Sequence, residues 1–246
     1  MPQPARRPRS RVDTERDIRQ HARELLVEQG HEAVTLRAIA RGLGITAPAL
    51  YRYYSSRAAL LDQLRVDICV DLAEQMVTEL AKAPEDDAVE QVRAACRGFR
   101  GWSVAHPREF VLSFASLMQE EETPPKLAPA QWPQDGFGKV FLSVAGQVLA
   151  THELAPQPVE AIPDELVADL ATFRDNLLGT IAERGVVLTE ARLSIGATYQ
   201  ILQFWVRLYG HVALEVFGRF PGPLSNPDAL FEANLTSLIR DIGLTP

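Results

Sequence analysis

Apolar residues recur three and four positions apart along almost the whole chain, and no stretch of strict alternation interrupts them. Ile18, Ala22, Leu25 and Leu26 predict a first helix over about residues 14–29, with Gly30 placed where a left-handed terminating residue belongs. Thr35 is a good N-cap for a short second helix over about 36–42, whose apolar face is Leu36, Ile39 and Ala40. Leu43, Gly44 and Ile45 form a tight turn. Thr46 then opens a third helix with Pro48 in its first turn, where a missing N–H costs nothing, and the pattern runs to about Tyr54. A longer period, Leu60, Leu61, Leu64, Ile68, Leu72, Met76 and Leu80, predicts one helix from Ser56 to about Ala81. Further helices are predicted over about 86–105, from Pro107 with Phe110, Val111, Phe114 and Met118 in its pattern, and over about 136–153, 164–184, 189–217 and 227–242. Residues 120–134 hold four prolines and read as a loop.

The fold class expected is therefore all-α. Residues 13–60 would form a three-helix unit in which two short helices joined by a glycine turn pack on an earlier one, the arrangement of a helix-turn-helix DNA-binding domain. Residues 61–246 would form a larger helical domain. Before both lie residues 1–12, without apolar period but with Arg6, Arg7, Arg9 and Arg11, which read as a flexible basic arm.

Charge sharpens this division. The chain of 246 residues carries a net charge of −7, yet residues 1–65 hold 12 Lys/Arg against 7 Asp/Glu and the remainder 13 against 25. A basic end on an acidic body is the asymmetry expected when one end meets a polyanion, because phosphate contact is decided locally, within a Debye length of ~8 Å.

The stretch TLRAIARGLGITAPALYRYYSSRAALL, residues 35–61, resembles the DNA-binding segment of the TetR family of bacterial regulators. The family pattern has a Thr-led helix, a Gly-Val/Ile turn, a recognition helix ending in Leu-Tyr-x-(His/Tyr)-Phe, then Ser-Lys and a Leu-Leu pair. Here these are Thr35, Gly44-Ile45, Leu50-Tyr51-Arg52-Tyr53-Tyr54, Ser56-Arg57 and Leu60-Leu61, with Tyr54 replacing Phe and Arg57 replacing Lys. A second stretch, WVRLYGHVALEVFG at 205–218, resembles the Trp-x-x-x-His-Gly motif of one TetR ligand-domain subfamily, with Tyr209 where that subfamily has His. The resemblance implies a dimer on a palindromic double-stranded operator, released when a small molecule binds the larger domain and moves the long fourth helix. It implies a repressor in the bacterial cytoplasm, at the nucleoid, with an activator of the same fold as the alternative.

A recognition helix needs small side chains at the groove floor and donors for the phosphates at its edges. Ala47, Pro48 and Ala49 carry no hydrogen-bonding side chain and can read only thymine methyls and shape. Arg37 matches a family position that reaches a base, and Arg52 is the one long donor within the third helix. By resemblance Thr35, Thr46, Tyr51, Tyr53 and Arg57 grip the backbone, helped by the dipole of the fourth helix. Two residues apart on a helix, Tyr51 and Tyr53 point about 200° apart, so one of them is expected to turn inward. Leu36, Ile39, Leu43, Ile45 and Leu50 are the expected core of this unit.

In the larger domain Trp102, Phe110, Phe114, Met118, Phe137, Phe141, Phe173, Tyr199 and Phe204 are candidates to line a cavity for a largely apolar effector. Residues 189–217 are too apolar for a helix with one exposed face, which suggests burial partly by a second copy of the chain. Leu193, Gly196, Ala197, Trp205, Leu208 and Leu238 are the candidates for that homodimer contact.

Other classes are disfavoured. No apolar run reaches the length of a membrane span. Cys69 and Cys96 have no CxxC partner and read as buried thiols, so neither a metal nor a cofactor is expected. No nucleophile elbow, phosphate loop or HExxH occurs, and the five histidines are scattered. A helical enzyme would need His211 paired with Glu215 in a cleft, and a helical adaptor without DNA binding would have no use for the basic end.

Overall fold

The computed structural model describes residues 11–115, 136–152, 154, 162–183, 185–190 and 192–244, and the described residues contain helices and turns but no strand. They divide into two compact units. One holds the residues up to Cys69 together with those from Arg108 to Ala115; the other holds Val70–Pro107 and the described residues from 136 onward. The division expected at residue 60 thus falls inside a continuous helix, and a later segment, Arg108 to Ala115, joins the N-terminal unit.

The first unit comprises α1 (Arg11–Gln29), a 3-10 turn (His31–Ala33), α2 (Leu36–Leu43), α3 (Ala47–Tyr51), the start of α4 (Arg57–Leu80), and α6 (Pro107–Phe114), which follows α5 (Ala88–Ala105) in the chain. Helix α1 begins at Arg11, so the last two residues of the expected arm are helical, and Arg11 meets Glu15 one turn on at 3.0 Å. The remainder of the arm lies outside the described residues. Ile18, Ala22, Leu26, Ile39, Leu50, Leu60, Leu61 and Leu64 close the core of this unit, each almost wholly buried. Arg19 on α1 ties α4 and the turn after α3 to that core, donating to Asp67 and, at 3.2 Å, to the hydroxyl of Tyr54. Helix α6 is fastened to α1 by Arg23 with the buried Glu109 and by Arg108, which donates to the Val27 carbonyl at 2.6 Å. It is fastened to α4 by Arg65, which donates to the Leu112 carbonyl at 3.0 Å.

Gly42 of α2 lies against the His21 ring of α1. A Cβ there would lie 1.9 Å from Nε2 of His21, whose other ring nitrogen sits 3.0 Å from Glu24. Gly42→Ala is therefore expected to forfeit the ~1 kcal/mol that alanine normally gains over glycine in a helix. A His21→Ala background should restore that gain, as read by urea unfolding; the same change in both backgrounds would contradict the contact.

The second unit comprises the rest of α4 with α5, α7 (Gly136–Thr151), α8 (Asp164–Ala182), α9 (Ile195–Val216) and α10 (Pro227–Asp241). Its central cluster is Leu142, Leu149, Leu177, Ile181, Leu193 and Ala197. Helix α9 starts six residues later than its apolar pattern suggests. Arg192 and Leu193 both donate their amides to the Thr189 carbonyl, which closes a turn, and the Ser194 hydroxyl then caps the new helix by accepting from the Ala197 amide at 3.2 Å. Arginines of α5 bind α9 and α10. Arg100 takes both oxygens of Glu215 and reaches Asp228, and Arg97 takes both oxygens of Glu232, whose carboxyl that hydrogen bond holds below the usual carboxylate range. No helix among the described residues is long and apolar enough to cross a membrane. The proline-rich segment 120–134 lies outside the described residues.

Candidate nucleic-acid interface and effector cavity

The candidate interface is built on two capped helices. Thr35 has extended backbone and accepts from the Ala38 amide at 3.1 Å, which starts α2. Gly44, at φ 65°, ends it in the left-handed conformation, with its own amide on Arg41 and the Ile45 amide on Ala40. One residue further, Thr46 accepts from the Ala49 amide at 3.3 Å and starts α3, whose first turn takes Pro48 without losing a bond. The connection between the two helices is residues 44–46, which gives α3 a fixed launch from α2.

Thr35, Arg37, Thr46, Pro48, Tyr51 and Arg52 are exposed, Ala47 and Ala49 are half-buried, and Leu50 is fully buried on the opposite side. Tyr51 and Tyr53 differ in exposure: Tyr51 is 55% exposed, whereas Tyr53, in the turn after α3, is half-buried under the Arg11 guanidinium. Helix α3 ends at Tyr51, three residues short of its pattern, because Tyr53 and Tyr54 both return their amides to the Leu50 carbonyl and Tyr54 turns inward to meet Arg19. Of the expected core, Leu36, Ile39 and Leu50 are buried, and Leu43 and Ile45 are half-buried at the turn. Arg37 and Arg52 make no side-chain hydrogen bond or ion pair among the described residues, so both guanidiniums are available. Arg57 is placed differently: Nε donates to the Val34 carbonyl and Nη2 to the His31 carbonyl, both at 2.7 Å.

The second unit holds a cavity of about 790 Å³, part of it open to solvent, among α5, α7, α8 and α9. Its walls include Cys96, Leu142, Ala145, Leu177, Phe204 and Trp205, and no charged side chain is among the described residues that line it. Phe99 supports one wall from behind, edge-on to Phe141 and tilted against Trp205 with ring centres 6.0 and 5.7 Å away. Burial pushes the Cys96 thiol well above its ordinary pKa, so it presents a neutral, soft wall and not a nucleophile.

Residues 18–64 match the family described as bacterial regulatory proteins, tetR family, and residues 92–238 match the tetracyclin repressor-like C-terminal domain. The second match alone covers more than half of the chain. The chain belongs to the TetR family. The HTH-type transcriptional regulator Rv1816 of Mycobacterium tuberculosis is 29% identical over 236 residues, 94% of this chain and 92% of the relative. The corresponding regulator Mb1846 of Mycobacterium bovis gives the same figures. Among solved structures, the regulatory protein SCO4313 superposes with a TM-score of 0.63 at 24% identity, covering 96% of this chain and all of the other. A protein of unknown function from Rhodococcus sp. RHA1 superposes at 0.58 with 15% identity over 97% of this chain and all of the other, a likeness of fold alone.

A TetR-family chain is a transcriptional regulator and not an enzyme. Glu215 is bound through both oxygens by Arg100, and His211 Nε2 lies 3.9 Å from it, enclosed between Phe220 and Phe231, with burial drawing its pKa below the ordinary value.

Several residues of this TetR-family body stand elsewhere than their sequence pattern suggests. Of the aromatic candidates for the cavity, Phe141 and Phe204 line it. Trp102 stacks on His106 at 4.9 Å away from the lining, Phe173 packs against the central cluster, and Tyr199 borders a separate hollow with Gln203 and Arg207. Phe110 and Phe114 belong to the first unit, where Phe110 is fully buried. Met118 and the Phe137 side chain lie outside the described residues. The dimer candidates Leu193, Gly196, Ala197, Leu208 and Leu238 are buried by their own chain, and Trp205 lines the cavity. Most of the cavity wall is aliphatic. The signal for it was α7, whose polar residues Lys139, Ser143, Gln147 and Thr151 fall on one exposed stripe and leave the rest of its surface apolar.

Proposed function

We propose that this chain is a dimeric, ligand-responsive repressor that sets two copies of α3 in successive major grooves of a palindromic operator and leaves it when a largely apolar molecule fills the cavity of the second unit. It acts on the bacterial nucleoid from the cytoplasm. The observation that carries the reading is the surface of α2 and α3: an Ala47-Pro48-Ala49 floor without hydrogen-bonding side chains, bordered by the exposed donors Thr35, Arg37, Thr46, Tyr51 and Arg52. The floor suits thymine methyls, Arg37 a guanine edge, and the remaining donors phosphates.

Pairing of two copies is supported by apolar side chains left uncovered on the last two helices. Val206 is 53% exposed and Leu214 41% on α9, with Phe217 beside them and Leu230 on α10. These replace the buried residues as candidates for the contact. The effector class rests on the uncharged lining, since a ligand charge buried there would find no partner among the described residues that line it.

Hydroxyl-radical footprinting on a duplex enriched by the protein from a random pool tests the operator reading. Two related protected segments, one helical turn or a whole multiple apart, are expected; a single unpaired segment would overturn the dimer. Ala145→Trp, which fills the cavity from α7, is expected to leave operator affinity within about twofold while abolishing release by any apolar effector found in a screen. Unchanged release would place the effector elsewhere.

A further inference from the structure

We propose that Arg57 is a positioning residue for DNA binding: it holds the turn from which α2 is launched and does not itself grip a phosphate. The proposal rests on the α2–α3 reading of the interface above.

The segment between α1 and α2 reverses the chain within a few residues. Gly30 takes φ 90°, and only three backbone bonds follow: Ala33 to Gly30 at 3.2 Å, Val34 to His31 at 3.2 Å and Thr35 to Ala33 at 2.9 Å. That leaves the Val34 carbonyl without a backbone donor and the His31 carbonyl with one. Arg57, in the first turn of α4, serves both with one planar fork, and its Nη2 also lies 3.2 Å from Nδ1 of His31. The Val34 side chain is fully buried, so the turn is fixed from two sides, by apolar packing below and by the guanidinium above. The next residue is Thr35, whose hydroxyl caps α2, and two further on is Arg37. A movement of the turn would therefore carry the α2 N-terminus and Arg37 with it. A guanidinium committed to two carbonyls at 2.7 Å would have to break charge-assisted bonds to swing onto a phosphate.

The two roles separate by salt and by coupling. A residue that neutralises a phosphate contributes ~0.9 to the slope of log affinity against log salt, and a brace contributes nothing to it. The probe is a duplex enriched by the wild-type protein from a random-sequence pool, with a random duplex of equal length as control, titrated at several salt concentrations by fluorescence anisotropy. Arg57→Ala is expected to weaken binding to the enriched duplex roughly tenfold with the slope unchanged. Arg57→Gln, which keeps a neutral donor at the Nε position, should recover part of that loss. A slope lowered by about one in both variants, with glutamine no better than alanine, would overturn the proposal. Thermal melting by circular dichroism fixes a titration temperature at which all variants are folded. Arg37→Ala is added in wild-type and Arg57→Ala backgrounds, because loss of fold alone predicts additivity whereas a displaced α2 predicts a smaller Arg37 effect when Arg57 is gone. Additive losses would overturn the positioning role. If Arg37→Ala alone costs nothing on the enriched duplex, the interface reading of Arg37 fails, and the slope and glutamine measurements still decide the role of Arg57.

Discussion

Ala49→Glu is expected to reduce binding to an enriched duplex at least about a hundredfold while leaving the fold intact, because a carboxylate facing phosphates costs several kcal/mol. Position 49 is chosen because the cap and the surface meet there. Thr46 is the N-cap of α3 and Ala49, three residues later, is the residue whose amide it binds. A glutamate in that place completes a capping box, reaching back to the Thr46 amide, so helix stability should hold or rise by a few tenths of a kcal/mol. The substitution thus changes the electrostatics of the first turn of α3 without removing a packing group, since Ala49 is half-buried and Leu50 carries the core. Thermal melting and anisotropy titration on the same samples separate the two effects. Retained affinity with an unchanged melting point would contradict the placement of α3 against DNA.

Phe99→Ala is expected to lower the unfolding free energy by about 3–5 kcal/mol, the range for removing a fully buried aromatic ring when its surroundings cannot collapse. Phe99 is completely buried and meets Phe141 and Trp205, both of which line the cavity of the second unit. The space vacated by the ring would join a hollow that already exists, so the neighbours gain little by closing over it. The same variant should be stabilised by small apolar molecules more than the wild type is, which differential scanning fluorimetry with a benzene or indole series would read. A loss under about 1 kcal/mol would mean that the aromatic wall is not packed as described.

The N-terminal unit was legible because its signals are local. Thr35 and Thr46 announce the starts of α2 and α3, Gly44 the turn, and Leu36, Ile39 and Leu50 the inward face; each depends on residues within one or two turns. Arg57 was legible as a charged residue at a helix start but not as a brace, because its partners His31 and Val34 are 26 and 23 residues away in the chain. The helical body was legible as helices and much less as an assembly. An α9 apolar around its circumference says that its faces are covered without saying by what. Leu208 and Val212 are covered by the chain itself, Phe204 and Trp205 face the cavity, and Val206 and Leu214 are left open. The start of α9 was misplaced because Leu188 and Leu193 extend its apolar run, whereas the turn on Thr189 is a matter of backbone geometry that hydrophobic spacing does not encode. Phe110 and Phe114 looked like cavity residues from their chemistry, yet the chain leads α6 back to the N-terminal unit through Glu109 and Arg108, contacts that bridge more than 80 residues.

The central claim, sequence-specific DNA recognition by a pair of chains, is tested most directly by titrating the wild-type protein against the pool-enriched duplex and a random duplex of equal length, at two salt concentrations, with stoichiometry from sedimentation. The account predicts two chains per site and a preference of at least about a thousandfold that persists when added salt weakens both complexes. Equal affinity for the two duplexes, collapsing together as salt rises, would contradict it.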